Sequence, residues 1–308
     1  MASVPEELLV RSALPSPSPF WSFLPLTSTC IEDGGRSNCA GRSTLRESAL
    51  RNILLLAPRH TGIPVTLNRT REDDEYGRLL SEMQRLRGRI ALEEGAIQPQ
   101  ELTSDFRHFQ PIDDQSWHIL TTDANGKVCG CARYHQYEPG TRYQDLAVAH
   151  SALARSEVYG NLLAEAIEWE IRQASERGVS FADVGGWTVD QAWRCTTVPI
   201  TLALATYALA ARLGHCVAIT TATRKSSSAR ILRRLGGDTL RIGSMPFPSY
   251  FDGQYGCEVE LLRFDSLTPS SKYRSKIAEI EAHLPLVRIV AAGQSSELYS
   301  ALGAAQAA

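Results

Sequence analysis

Two adjacent glycines, Gly185-Gly186, interrupt an apolar stretch that runs from Phe181 to Val189. Glycine inside a strand marks a bulge or a close backbone approach, and a bulge takes main-chain amides out of the ladder. Tight packing on a helix is the other reading. Asp183 stands just before the pair and is either a proton-handling carboxylate or one half of a strand-edge ion pair. Trp187, just after it, either walls a pocket or fills the core. A second concentration of chemistry runs from Arg224 to Arg241, where Arg224, Lys225, Arg230, Arg233, Arg234 and Arg241 face a single acid, Asp238. Such a patch suits an acidic partner or a phosphate, and a solvated helix face is the plain alternative. Cys129-Gly130-Cys131 puts two thiols on one strand face, with His118 and His135 as possible companions. No C-x-x-C partner accompanies them, so no metal is expected. No G-x-S-x-G elbow supports a serine hydrolase. Glu157, Asn161, Glu165 and Trp169 share one helical face that reads as solvated.

The elements that must position these residues follow from hydrophobic period. Trp117–Thr122 and Lys127–Tyr134 read as strands joined by the hairpin turn Asp123-Ala124-Asn125-Gly126. Phe181–Val189, Val217–Ala222 and Cys257–Phe264 read as further strands, and Pro64–Asn68 as an early one. Helices are expected over Glu72–Glu94 (apolar at Tyr76, Leu79, Leu80, Met83, Leu86 and Ile90), Arg155–Arg177, Thr197–Leu213, Ser227–Leu235 and Lys272–Leu284. A short helix is also expected over Leu45–Ala57. Residues 1–60 read as a mobile leader rich in proline, serine and glycine, 61–268 as one folded domain, and 269–308 as a C-terminal helix with a flexible tail. The expected class is α+β, an α/β three-layer arrangement with a mixed central sheet flanked by helices.

The chain has 308 residues, 43% hydrophobic and 21% charged, which excludes wholesale disorder, collagen and coiled coil. Its formal net charge of −2 gives no global attraction to nucleic acid or membrane. Seven cysteines without a paired framework read as reduced thiols in a cytoplasmic protein. Glu6 and Glu7 stand where a signal peptide needs positive charge, and the longest apolar stretch, Ile200–Leu213, is too short to span a bilayer.

The run Ser227-Ser228-Ala229-Arg230-Ile231-Leu232-Arg233-Arg234-Leu235-Gly236 is similar to the late helix of the GNAT acyltransferase superfamily, and the order of elements before it matches. Arg87–Glu94, Asp113-Asp114 and Gly126-x-x-x-Gly130-Cys131-Ala132-Arg133 resemble the front half of autoinducer (acyl-homoserine-lactone) synthases. Tyr255–Asp265 and Gly185-Gly186-Trp187 resemble N-acyl amino acid synthases. The resemblance covers about two-thirds of the chain.

It implies a GNAT-like acyl-CoA N-acyltransferase fold and transfer of an acyl group, expected to be long, from an acyl carrier protein or coenzyme A thioester to the amine of an amino acid or similar acceptor. No cofactor would be permanently bound. Asp183, Gly185, Gly186 and Trp187 would form the catalytic strand, the bulge amides holding the thioester oxyanion. Arg133 would organise an acceptor cluster with Glu93, Asp105, Asp113 and Asp114. Arg194, Thr196 and Thr197 occupy the place of the pyrophosphate loop, where Val198 and Pro199 replace small residues. That change favours a single phosphopantetheine phosphate, hence an acidic carrier protein docked on Arg224, Lys225, Arg230, Arg233 and Arg234. Leu232 stands where the superfamily has a tyrosine, and Gly186 where the autoinducer pattern has an arginine. Alternatives are an acyl-thioester-binding protein without turnover, an acyl-homoserine-lactone synthase, and a nucleic-acid-binding protein using the basic patch.

Overall fold

A computed structural model describes residues 52–292, apart from 60–63, 65, 66, 68, 72, 226, 227 and 254. In chain order the elements are β1 (Ile53–Leu56), β2 (Arg69–Arg71), α1 (Asp73–Glu93), β3 (Trp117–Thr122), β4 (Val128–Gln136), α2 (Gly160–Glu176), β5 (Ser180–Val189), α3 (Val198–Arg212), β6 (Cys216–Thr223), α4 (Ser228–Leu235), β7 (Asp238–Thr239), β8 (Arg241–Ile242), β9 (Met245–Pro246), β10 (Tyr250–Asp252), β11 (Cys257–Asp265), α5 (Arg274–His283) and β12 (Arg288–Ala291). The main sheet runs β10-β11-β6-β5-β4-β3-β1-β12-β2, with β7 beside β11. Neighbours are antiparallel except β5/β6, β1/β12 and β12/β2.

Local chemistry explains the elements. Asp123 Oδ1 accepts the Asn125 and Lys127 amides at 2.8 and 3.0 Å, and Gly126 at φ +77° closes the β3–β4 hairpin. α3 is apolar all round because it is covered on both sides: Leu202, Ala205, Leu209 and their neighbours pack in one core with the sheet and with Ile277 and Ile280 of α5. α1 buries Tyr76, Leu79, Met83 and Ile90 against Leu56, Leu120, Cys131 and Val290. α2 buries Leu163 and Ile167 against Phe181, Val217 and Ile219. Register puts Cys131 and Ile219 on the same sheet face, so α1 and α2 lie side by side on it, with α3, α4 and α5 on the other. These three layers form the expected mixed sheet flanked by helices, in which the β3-β4-β5 meander is followed by parallel β6.

Two boundaries move. Ile53–Leu56 is a strand between β3 and β12, not the end of a helix over 45–57, whose first part lies outside the described residues. Arg288–Ala291 is also a sheet strand, so the folded unit extends beyond 61–268 at both ends, from Ile53 to Ala292. The proposed mobile leader up to residue 51 and the tail from 293 lie outside the described residues. Pro64 and Leu67 form a turn, and the early strand begins at Arg69. Cys129, Cys131, Cys216 and Cys257 are free, whereas Cys195 is disulfide-bonded, against the expectation of reduced thiols throughout. No helix among the described residues is long and apolar enough to cross a membrane.

Candidate active site

β5 and β6 pair from Ser180 opposite Cys216 to Asp183 opposite Ile219. Beyond that point β5 continues to Val189 against β4, and β6 continues to Thr223 against β11. The parallel strands therefore part inside the sheet, each leaving a buried main-chain edge toward the other. Buried amide and carbonyl groups need partners, and an extended chain carrying its own amides supplies them.

The expected bulge lies at the parting. Arg133 opposes Gly185 and Cys131 opposes Thr188, so Gly186 and Trp187 together face Ala132. Gly186 adopts φ +58°, the left-handed region that favours glycine. A Cβ there would lie 3.4 Å from Arg133 Cβ and 3.9 Å from an Arg87 guanidinium nitrogen. The extra residue also resets the side-chain alternation. Trp187 consequently joins the α3-side core, 1% exposed, and donates Nε1–H to the Pro199 carbonyl at 3.0 Å. It pins the first turn of α3 and does not wall a pocket on the α1–α2 face.

That opposite face carries polar side chains in register. His118 of β3 stands beside Arg133 of β4, and His135 of β4 beside Asp183 of β5. Arg133 is buried, donating Nη1–H to Gln110 Oε1 at 2.7 Å and Nη2–H to Asp183 Oδ1 at 2.8 Å. Asp183 thus meets an arginine rather than standing free to take a proton. Asp113, also buried, accepts both Arg87 terminal nitrogens at 2.9 and 2.6 Å, Gln84 Nε2 at 3.0 Å and the Gln110 amide at 3.2 Å. Burial alone would raise the Asp113 carboxyl, but the Arg87 guanidinium overrides it and brings the pKa down to about 2. Burial pushes His118 down to about 4 and His108 to about 3, and lowers His135 as well. His135 Nδ1 lies 3.2 Å from the Gln115 carbonyl, which can only accept, so the proton sits on Nδ1 and Nε2 keeps a lone pair.

Three of the carboxylates expected beside Arg133 stand elsewhere. Asp114 pairs with Arg59 at 2.7 Å. Asp105 is exposed, its carboxyl lowered by the hydrogen bond from Thr103 and then by Arg107 and Arg85. Glu93 pairs with Arg89 one helical turn back, on the solvent face of α1. Asp113 does belong to the buried cluster, though its direct partner is Arg87.

Between α1 and α2 the sheet face is open. The segments 97–115 and 136–155 wall a groove of about 2500 Å³ over Trp117, His135, Tyr137 and Phe181. The buried Asp183–Arg133–Gln110 chain ends at this groove, while its Asp183 end marks the last paired position before the strands part.

The chain as a whole is similar to several solved structures. BjaI, a CoA-dependent acyl-homoserine lactone synthase solved with SAM and isopentyl-CoA, is similar at 13% identity and TM-score 0.45, over 79% of this chain and 93% of that one. FeeM, an N-acyl amino acid synthase from uncultured soil microbes, is similar at 9% identity and TM-score 0.33, over 50% and 68%. An arylalkylamine N-acetyltransferase 2 from Aedes aegypti is similar at 14% identity and TM-score 0.42, over 70% and 99%. No family model matches the chain, and no curated protein does.

At the open end of the splay lie the residues expected to take a phosphate. Thr196 Oγ1 accepts the Val198 amide at 3.2 Å and so caps the entry to α3, whereas Thr197 makes no side-chain cap. Arg194 is an internal brace: Nη2 contacts Glu94 at 2.8 Å and Nε donates to the Val189 carbonyl at 3.2 Å. Burial raises Glu94 to about 7 against the pull of Arg194. The basic patch is partly neutralised by acids from β11 that are distant in sequence. Arg224 meets Glu258 and Glu260, and Arg233 meets Glu260. Lys225, Arg230 and Arg234 are exposed beside them.

Sequence reasoning missed Arg87, Gln84, Gln110 and the roles of His118 and His135 in this cluster. One signal was available: Arg87 follows Met83 by four and precedes Ile90 by three, which places a charge on the buried stripe of α1. Nothing local marks Gln110.

Proposed function

We propose that this chain is an N-acyltransferase. It moves an acyl group from a phosphopantetheine thioester, borne by an acyl carrier protein or by coenzyme A, to the amine of an amino acid or similar small acceptor. The supporting observation is the parting of β5 from β6 at a glycine bulge whose other side is the polar floor of a groove. The amide-bearing pantetheine arm runs along the free strand edges, with its thioester at the bulge. The acceptor approaches from the groove. His135 Nε2 takes a proton from the acceptor ammonium, because the imidazole is neutral and its tautomer is set by Gln115. The freed amine attacks the thioester carbon, the C–S bond breaks as the thiolate leaves, and the nitrogen gives up its second proton, which solvent carries to that thiolate. Amides of the Gly185-Gly186 bulge meet the oxygen as negative charge develops. Asp183 acts through Arg133 and holds it in place.

The test incubates the protein with acylated carrier protein and, separately, acyl-coenzyme A, each with an amino-acid mixture, and reads N-acyl products by mass spectrometry. Product from either donor is expected. A second reading, thioester binding without turnover, is favoured by Arg194 being held by Glu94 and by Leu232, a buried aliphatic residue in place of a phenol. Bound acyl-pantetheine with no product would select it.

A further inference from the structure

Gln110 is 2% exposed and sits where the α1–β3 connection meets the groove. Its amide oxygen is fixed by Arg133, and Arg133 is fixed by Asp183, so the identity and direction of its nitrogen are set. That nitrogen, Nε2, is buried without a partner. A buried amide donor left unmade costs free energy, which a bound oxygen would recover.

The surrounding charge says which kind of oxygen. Among the described residues, Glu101, Asp114, Glu138 and Asp145 line the groove, against Arg155 as the single lysine or arginine lining it. Arg59 offsets Asp114. The two arginines nearest Gln110 are spent on Asp113 and Asp183 beneath the floor. A carboxylate on the ligand would meet a net negative wall and a neutral donor. An ammonium beside an uncharged carbonyl would meet both groups favourably.

We propose that the groove binds, in preference to a free amino acid, an amine carrying an adjacent amide-type carbonyl, such as an amino-acid amide or the amino end of a peptide, with that oxygen on Gln110 Nε2. This rests on the acyltransferase reading for its reaction but not for its binding. Calorimetric titration of the full chain with L-leucinamide, L-leucine and isopentylamine tests it without any acyl donor. Leucinamide is expected to bind about tenfold more tightly than either other compound, one hydrogen bond separating it from the amine and one charge from the acid. Gln110→Glu keeps an oxygen for Arg133 and removes the donor, so the amide's advantage over isopentylamine should vanish while the melting temperature holds. Leucine binding as tightly as leucinamide, no binding by any of the three, or an amide advantage surviving in Gln110→Glu would each overturn the inference. The ligand series in the unaltered protein decides the matter even if the variant does not fold. Tight leucinamide binding with no N-acyl product from any donor would leave this site standing and remove the acyltransferase.

Discussion

The molecule contains two sets of arginine–carboxylate pairs with nearly the same distances and opposite surroundings. Arg87–Asp113 and Arg133–Asp183 are 2.6 and 2.8 Å apart with every side chain at most 12% exposed. Arg224–Glu258 and Arg233–Glu260 are 2.9 and 2.5 Å apart, yet their arginines are 51% and 39% exposed. Distance therefore does not distinguish them; water does. In the buried set each charge depends on its partner, because removing one strands the other in a poorly solvated site. In the exposed set water replaces a lost partner at little cost. The buried set can hold a geometry at the parting of β5 and β6, while the exposed set tunes surface charge.

The sharpest break in this contrast is Arg87→Ala. Asp113 would lose its bidentate partner, and destabilisation of roughly 3–5 kcal/mol is expected in urea unfolding. A loss below about 1 kcal/mol would erase the distinction between the two regions. Gly186→Val comes next. A β-branched residue at φ +58° against Arg133 should cost about 1–3 kcal/mol, and kcat should fall far more than donor affinity. Normal turnover would return the glycine pair to a packing role.

Acid should separate the regions more gently. His118 and His108 have folded pKa values of about 4 and about 3, below the ordinary 6.5 of the unfolded chain. Their contribution is complete above pH 6.5. As pH falls the unfolded chain binds protons first, so stability drops through the window from about 6.5 to about 3. Asp113, at about 2 against 3.8, extends the loss below that window. A melting temperature that stays flat between pH 6.5 and 4 would mean that these histidines are not held neutral. The smallest effect is expected for Arg233→Ala, about 0–1 kcal/mol, because the half-exposed arginine leaves Glu260 still paired with Arg224 at 3.2 Å. The same substitution should slow reaction with an acidic carrier protein mainly at low salt, measured as kcat/KM against ionic strength.

The bulge was legible in the sequence because two glycines inside a strand have few other uses, and the meander followed by parallel β6 was legible because each element is long enough to show its period. β1 was not: Ile53–Leu56 is a short apolar run, whose period does not separate strand from helix. β12 escaped because its partner lies at the other end of the chain. The site was only half legible for the same reason. Arg133 and Asp183 were found one at a time, but their shared bond exists only through β4–β5 register, and Gln110 gains its meaning solely from the arginine that fixes it. Arg224 and Arg233 looked like free charge because Glu258 and Glu260 follow much later in the chain.

The placement of β12 sets an order of events during synthesis. Leu54 pairs with Arg288 and Arg69 with Ile289, so β12 is the wedge that ties β2 to the rest of the sheet. A ribosome delivers β1 and β2 early and their shared neighbour last. Until Ala291 clears the exit tunnel, one side of β1 has no strand to pair with and β2 has no place in the sheet. Chains released after His283 should therefore be cut by protease in β1 and β2, and chains that keep Arg288–Ala291 should be protected there. Quality control of this protein is in that sense a late decision, taken on four residues.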